Sequence, residues 1–154
     1  MSPMRRGKRD YRILCIDDYA PGLEVRKALL EQWGYTVATA ATGEEALQIL
    51  KSRTIHGIVL DYCLPGMNGG EVLKIVKTEW PQVRVVLLSG YPRIPHRVKN
   101  SADLYMRKGD PNERLRRALV ELLDSGTRQA VVQQTRKLVA RAGAVLRRSH
   151  KKAG

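Results

Sequence analysis

The sequence predicts an α/β fold in which a parallel sheet of five strands is joined by crossover helices. Short apolar runs alternate five times with helix-length segments, an order typical of a parallel sheet. Side chains suited to ligand chemistry follow four of these runs, at the end of a strand where open α/β sheets bind ligands. The predicted strands are Arg12–Ile16, Thr36–Ala40, Gly57–Leu60, Arg84–Leu88 and Asp103–Met106.

The first two connections have clear helix signals. The first helix runs from about Pro21 to Trp33, with apolar residues on one side, and Gly34 follows its end. The second follows Thr42, which we predict as its N-cap. Glu44 and Glu45 stand in its first turn, where the helix dipole favours acidic residues.

The helix signals in the remaining three connections are not equally clear. The third helix begins near Gly69 and stops before Pro81, and the fifth begins after Pro111. The fourth connection contains two prolines and few apolar residues. Because proline blocks a helix interior and disfavours a helical residue before it, we expect only a short helix there, over about Pro95–Ser101.

Charge divides the chain into three parts. The net charge is +13, yet residues 125–154 carry eight Lys/Arg and no acid, and residues 1–12 carry five Lys/Arg and one acid. The middle is therefore nearly neutral. We predict a basic N-terminal arm over 1–10, one domain over 11–124 and a basic helical tail over 125–154.

The pattern of apolar residues in the tail predicts a last, amphipathic helix beyond Gly126. Its apolar positions recur one, three and four residues apart, and most of its basic residues lie off that stripe. The stripe consists of Val131, Val132, Thr135, Leu138, Val139, Ala142, Val145 and Leu146. It fits a helix that docks on a protein surface, which belongs to a second copy of the chain, to another protein such as a kinase, or to the chain's own domain. It also fits a nucleic-acid element whose arginines contact phosphates. A membrane-surface helix is disfavoured because the tail has no aromatic anchor.

Composition excludes several classes of protein. No apolar run reaches 18 residues, so we expect no membrane span. The basic N-terminus lacks an apolar segment, so we expect no secretory signal and a cytoplasmic location. The two cysteines, Cys15 and Cys63, are expected to be reduced.

The polar residues at the strand ends predict a site for a divalent cation and a phosphoryl group. Asp17 and Asp18 follow the first strand and Asp61 follows the third, which offers oxygen ligands to Mg²⁺. A carboxylate can itself accept a phosphoryl group. Ser89 after the fourth strand and Lys108 after the fifth can bind phosphoryl oxygens.

Together these residues resemble the receiver domain of bacterial two-component response regulators, in a CheY-like form with a basic C-terminal helix. The resemblance covers roughly residues 11–124. It rests on Asp17-Asp18, on the run 61–69 (DYCLPGMNG), on Ser89-Gly90 and on Lys108. It implies a doubly wound, flavodoxin-like (βα)5 three-layer sandwich with strand order 2-1-3-4-5.

The resemblance also implies how the protein works. Asp61 would accept phosphate from a histidine kinase or a phosphotransfer protein. Mg²⁺ would bind Asp18, Asp61 and the backbone carbonyl of Cys63, with Asp17 acting partly through water. The protein would then change its docking surface as a switch; it would not turn over a small-molecule substrate.

The resemblance further implies that Ser89 and Tyr105 form the switch pair. Ser89 would move toward the phosphoryl group and Tyr105 would turn inward behind it. One departure from the family is that Lys108 is followed by Gly109, where the family usually has proline. Another lies two residues beyond Asp61 and Ser89, at Cys63 and at Tyr91.

In the family, residues at the Cys63 and Tyr91 positions tune self-dephosphorylation. Neither side chain here orients water easily, so we expect a long-lived acyl phosphate.

Three rival classes of protein fit the sequence less well. Phosphatases of the haloacid dehalogenase type place a second Asp two residues after the nucleophile, but here Cys63 stands there and cannot act as the general acid/base. A receiver that works without phosphorylation usually loses one of the site residues, whereas this chain keeps the set. The absence of a G-x-G-x-x-G motif or P-loop after the first strand excludes a nucleotide-binding domain of those types.

Overall fold

The computed structural model describes residues 10–151, without the side chains of 126–131 and 145–151. Five strands alternate with five helices. The strands are β1 (Arg12–Ile16), β2 (Thr36–Ala40), β3 (Gly57–Leu60), β4 (Arg84–Ser89) and β5 (Leu104–Arg107). The helices are α1 (Ala20–Gln32), α2 (Gly43–Ser52), α3 (Gly69–Glu79), α4 (His96–Ser101) and α5 (Asn112–Lys151).

All strand pairs are parallel and the sheet order is β2-β1-β3-β4-β5, as expected. Side chains alternate between the two faces of the sheet. In β1, Ile13 and Cys15 pack with α1 and α5, while Leu14 and Ile16 pack with α2 and α3. The result is a three-layer sandwich. Burial raises the pKa of the Cys15 thiol to about 12, so this cysteine is a core residue with a protonated thiol.

Local sequence signals explain where α2 and α3 begin. Thr42 is the N-cap of α2 as predicted, and its hydroxyl accepts a hydrogen bond from Glu45 N at 3.1 Å. Asn68 caps α3 through a capping box with Glu71, whose carboxylate accepts from Asn68 N at 2.9 Å. The start of α3 at Gly69 and the short α4 also agree with the sequence.

The helix predicted beyond Gly126 is present, but it is continuous with the fifth helix and not separate from it. A single α5 of 40 residues runs from Asn112 to Lys151 without interruption. A glycine inside a helix costs only about 1 kcal/mol relative to alanine, and no proline lies in this segment to break it. Despite its length, α5 is too polar to cross a bilayer, and no other helix in the described part of the chain qualifies.

Candidate functional site

Four neighbouring strands bring the predicted site residues together at the carboxyl edge of the sheet. Because β1, β3, β4 and β5 lie side by side, the residues that follow them become neighbours. The backbone pairing continues past the strand ends: Asp61 N donates to Ile16 O at 2.9 Å, and Lys108 N donates to Ser89 O at 3.2 Å. The positions of these side chains are therefore fixed by the sheet.

Three carboxylates form an acidic cluster. Asp17, Asp18 and Asp61 each offer an oxygen, and these oxygens lie within 4.8 Å of one another. Asp17 and Asp61 are buried, with 1% and 5% of their surface exposed, whereas Asp18 faces solvent. Burying like charges this close together is costly unless a cation compensates them.

Lys108 supplies one compensating cation. Its Nζ lies 2.8 Å from Asp17 Oδ2 and 2.9 Å from Asp61 Oδ2. Burial alone would lower the pKa of Lys108, but its hydrogen bonds to the two carboxylates raise the pKa above its usual value. Lys108 is therefore an ammonium ion at neutral pH.

Arg26 supplies a second cation, which the sequence reasoning missed. Its guanidinium lies 3.2 Å from Asp17 Oδ2, while Asp17 Oδ1 accepts from Tyr19 N at 3.0 Å. Burial alone would raise the pKa of Asp17, but Lys108, the Tyr19 N–H and Arg26 together hold it below its usual value. A signal was present: Arg26 stands three residues after Leu23 on the inward face of α1.

The loop after Asp61 is shaped by its backbone. Cys63 N donates to Asp61 Oδ1 at 3.3 Å, which fixes the second oxygen of that carboxylate. Gly69 N donates to Tyr62 O at 2.8 Å, and a Cβ at Gly69 would collide with the Asp61 carbonyl oxygen. Gly66 has a φ of +71°, a left-handed conformation that favours glycine.

Ser89 and its neighbours lie beside this loop. The Ser89 side chain is buried, and its hydroxyl accepts from Tyr91 N at 3.2 Å. The Tyr91 ring stacks on the Tyr62 ring, with centroids 5.7 Å apart and planes at 17°. Gly90 leaves space, since an added Cβ would meet only Lys108 Cβ at 3.8 Å. The stack thus joins the loops after β3 and β4.

Tyr105 lies further from the acidic cluster, on β5. It is half-buried against the core on the α3 side, and Lys99 Nζ from α4 lies 4.6 Å from the centre of its ring. The loop after Lys108 turns at Gly109, whose φ is +102°, and Asp110 then accepts from Arg107 N at 3.0 Å.

The donor set fits Mg²⁺. Carboxylate oxygens are the ligands that Mg²⁺ prefers, and three of them converge here. Mg²⁺ is a hard cation that prefers oxygen to sulfur, so at Cys63 the suitable donor is the backbone carbonyl and not the thiol.

Comparison with known proteins gives a consistent result. Residues 13–120 match the family described as the response regulator receiver domain. The rice (Oryza sativa) two-component response regulator ORR3 is 39% identical over 80 residues, which cover 50% of this chain and 61% of ORR3. The transcriptional regulatory protein ZraR of Klebsiella oxytoca is 32% identical over 114 residues, which cover 72% of this chain and 26% of ZraR. The chain thus spans less than two thirds of either relative.

Solved structures show the same fold. The response regulator TrrA of Thermotoga maritima, in complex with Mg²⁺ and BeF, has a TM-score of 0.69 and 30% identity, covering 73% of this chain and 98% of TrrA. TrrA in complex with the histidine kinase ThkA has a TM-score of 0.67 at the same identity and coverage.

Proposed function

The chain belongs to the family of response regulator receiver domains, and we propose that it is a signalling switch operated by phosphorylation of Asp61. A histidine kinase or a phosphotransfer protein supplies the phosphoryl group, in keeping with the complex of TrrA with the kinase ThkA. The observation that supports this most strongly is the bridge from Lys108 to Asp17 and Asp61, at 2.8 and 2.9 Å. It holds a cation at a buried carboxylate on the ligand-binding edge of the sheet.

The transfer step follows from this geometry. An oxygen of Asp61 forms a bond to phosphorus while the bond from phosphorus to the imidazole nitrogen of the donor histidine breaks. The electron pair of the broken bond stays on that nitrogen, which takes up a proton. Cys63 N and Lys108 Nζ each hold one oxygen of Asp61, so the carboxylate is oriented before the donor arrives.

We propose that Asp17, Asp18, Asp61 and the backbone carbonyl of Cys63 bind Mg²⁺, with Asp17 acting partly through water. Mg²⁺, when bound, neutralises charge on the transferring phosphoryl group.

The switch is a response to added charge. Phosphorylation adds about −1.5 to −2 charges at neutral pH. Lys108 turns from the carboxylates to a phosphoryl oxygen. Ser89, whose hydroxyl accepts from Tyr91 N in the resting structure, donates to another phosphoryl oxygen. Tyr105 turns inward, which changes its contact with Lys99 and hence the surface formed by α4 and β5.

We propose a phosphoacceptor with slow self-dephosphorylation, and not an enzyme that turns over a substrate. The residue two positions after Asp61 is Cys63, whose thiol has a raised pKa and is no general acid/base for a second displacement.

We propose that the receiver spans 11–124 and that residues 125–154 act as its output element. Leu138 and Val139 are 60% and 66% exposed on α5, which favours docking on a protein. Direct DNA binding is the second candidate, because Arg136, Lys137 and Arg141 are exposed beside them. A DNA titration across salt concentrations, with and without Mg²⁺ and beryllofluoride, separates the two: salt-sensitive binding that changes with beryllofluoride supports DNA, and no binding supports docking.

The central test is the variant Asp61→Asn, compared with wild-type protein in acetyl phosphate and Mg²⁺. We expect intact-mass spectrometry to show one added phosphoryl group on the wild type and none on the variant, because an amide is not a nucleophile for phosphorus. Circular dichroism checks that the variant is folded. A variant that is still phosphorylated would show that Asp61 is not the acceptor.

A further inference from the structure

Arg26 is a charged residue at a core-facing position of α1. Leu23 lies three residues before it and Leu30 four residues after it, and both are buried. The Arg26 side chain is itself only 15% exposed and points at the acidic cluster, with a nitrogen 3.2 Å from Asp17 Oδ2. An apolar residue would satisfy the packing of α1 at this position, so the contact with Asp17 needs a separate explanation.

Both carboxylate oxygens of Asp17 accept from protein donors, which occupy three of its about four acceptor positions. Its Oδ2 receives both Arg26 and Lys108, and its Oδ1 receives the Tyr19 N–H. At Oδ2, a metal ion or a water molecule of its shell must therefore compete with the guanidinium of Arg26 and the ammonium of Lys108. Arg26 has space to move, because it lines a cavity of about 490 Å³ between α1 and α5.

Arg26 also changes the charge of the site. Three carboxylates and two cations leave one net negative charge, whereas Lys108 alone would leave two. The attraction of a divalent cation scales with that charge, and charges that are partly buried are weakly screened by salt.

We propose that Arg26 is an internal counter-ion that competes with Mg²⁺ for Asp17 and sets the metal affinity of the site. The inference rests on the proposed Mg²⁺ site around Asp61. In the resting protein Arg26 holds Asp17 and keeps Mg²⁺ binding weak. When Mg²⁺ binds, the guanidinium leaves Asp17 and turns into the cavity between α1 and α5. Arg26 is thus a positioning residue, acting through Asp17.

The test is a Mg²⁺ titration by isothermal calorimetry of the full chain, with Mn²⁺ and electron paramagnetic resonance as an independent readout. The variants are Arg26→Met and Arg26→Gln, which remove the charge, and Arg26→Lys, which keeps it. Lys27→Met is the matched control: Lys27 is the next residue, is 45% exposed and pairs with Glu31 at 3.3 Å. Thermal melts check that each variant is folded.

We expect Arg26→Met and Arg26→Gln to bind Mg²⁺ about tenfold more tightly than the wild type or better. Arg26→Lys and Lys27→Met should bind like the wild type. Equal or weaker binding by both neutral variants would overturn the role of Arg26, and so would tighter binding by Lys27→Met, since that would be a general effect of charge.

The same measurements distinguish a failure of the proposed function from a failure of the inference about Arg26. If no variant binds Mg²⁺ and acetyl phosphate does not modify Asp61, the receiver site itself is wrong, and the inference about Arg26 falls with it. If the wild type is phosphorylated and Arg26→Met gains no affinity, only the inference about Arg26 fails.

Discussion

Lys108 Nζ lies 2.9 Å from Asp61 Oδ2, although the two residues are 47 positions apart in the sequence. The contact exists because β3 and β5 flank β4 and end at the same edge of the sheet. The ammonium that would bind the phosphoryl group already rests on the carboxylate that would receive it. Charge compensation in the resting state and charge recognition in the phosphorylated state therefore depend on one side chain.

Lys108→Met should destabilise the protein when Mg²⁺ is absent. The change leaves the buried carboxylates of Asp17 and Asp61 without their shared partner, a loss of about 1–3 kcal/mol in the free energy of unfolding. Urea unfolding with and without Mg²⁺ measures it, and Mg²⁺ should restore part of the loss. Arg107→Met, at the exposed preceding residue, is the control. Equal losses in both variants would contradict the assigned role of Lys108.

Gly69→Ala should disturb the loop after Asp61. A Cβ at Gly69 would meet the Asp61 carbonyl oxygen and would lie 2.7 Å from Tyr62 Cα, so the backbone must shift. We expect a loss of about 1–3 kcal/mol in urea unfolding, together with slower phosphorylation by acetyl phosphate. Gly90→Ala, where the nearest atom would be 3.8 Å away, should keep its stability. An unchanged free energy of unfolding for Gly69→Ala would show that the loop accommodates the methyl group.

His56 should make stability depend on pH near neutrality. Burial and the charge of Arg12 lower the pKa of His56, whose Nδ1 accepts a hydrogen bond from Arg12 N at 2.9 Å. Since the unfolded value is about 6.5, the unfolded chain binds the proton first as pH falls, and stability falls through that window. The free energy of unfolding changes by about 1.4 kcal/mol per pH unit when folded and unfolded chains differ by one bound proton. His56 should give only a fraction of that slope, because the two states differ by less than one proton.

The measurement for His56 is urea unfolding between about pH 7.5 and 5.5, where carboxylates contribute little. His56→Gln should flatten the dependence, because it removes the group whose pKa differs between the folded and the unfolded chain. A wild-type stability that rises as pH falls would contradict the direction of the pKa shift.

The acyl phosphate on Asp61 should be long-lived. Cys63 carries a thiol, and the Tyr91 ring is stacked on Tyr62, so neither side chain orients a water molecule for attack. Cys63→Asn, which adds an amide at that position, should shorten the lifetime, and Cys63→Ala should not. Intact-mass spectrometry after removal of acetyl phosphate follows the decay. Loss of the wild-type phosphoryl group within seconds would refute the prediction.

The strand ends were predictable because two simple rules act together. Buried parallel strands are apolar runs, and their carboxyl ends meet at one edge, so the amino-acid sequence alone places Asp61 and Lys108 at that edge. The N-cap at Thr42 was also predictable, because a cap depends only on residues that are close together in the sequence. The spacing of Arg26 from Leu23 places it on the inward face of α1, but its contact with Asp17 was not predictable, since helical periodicity does not show which partner a residue finds across the fold. The continuity of α5 across Gly126 was not predicted, because a glycine is typical of a helix end and is also tolerated inside a helix.

The unbroken α5 has the proportions of a lever. Its 40 residues extend about 60 Å, and its first turns are anchored in the core by Leu115 and Leu119. Roughly 40 Å of helix lies beyond Asp124, so a tilt of about 10° at the anchored end moves the far end by about 7 Å. A rearrangement that tilted α5 at its core end would thus be enlarged along the helix to a displacement the size of a side chain.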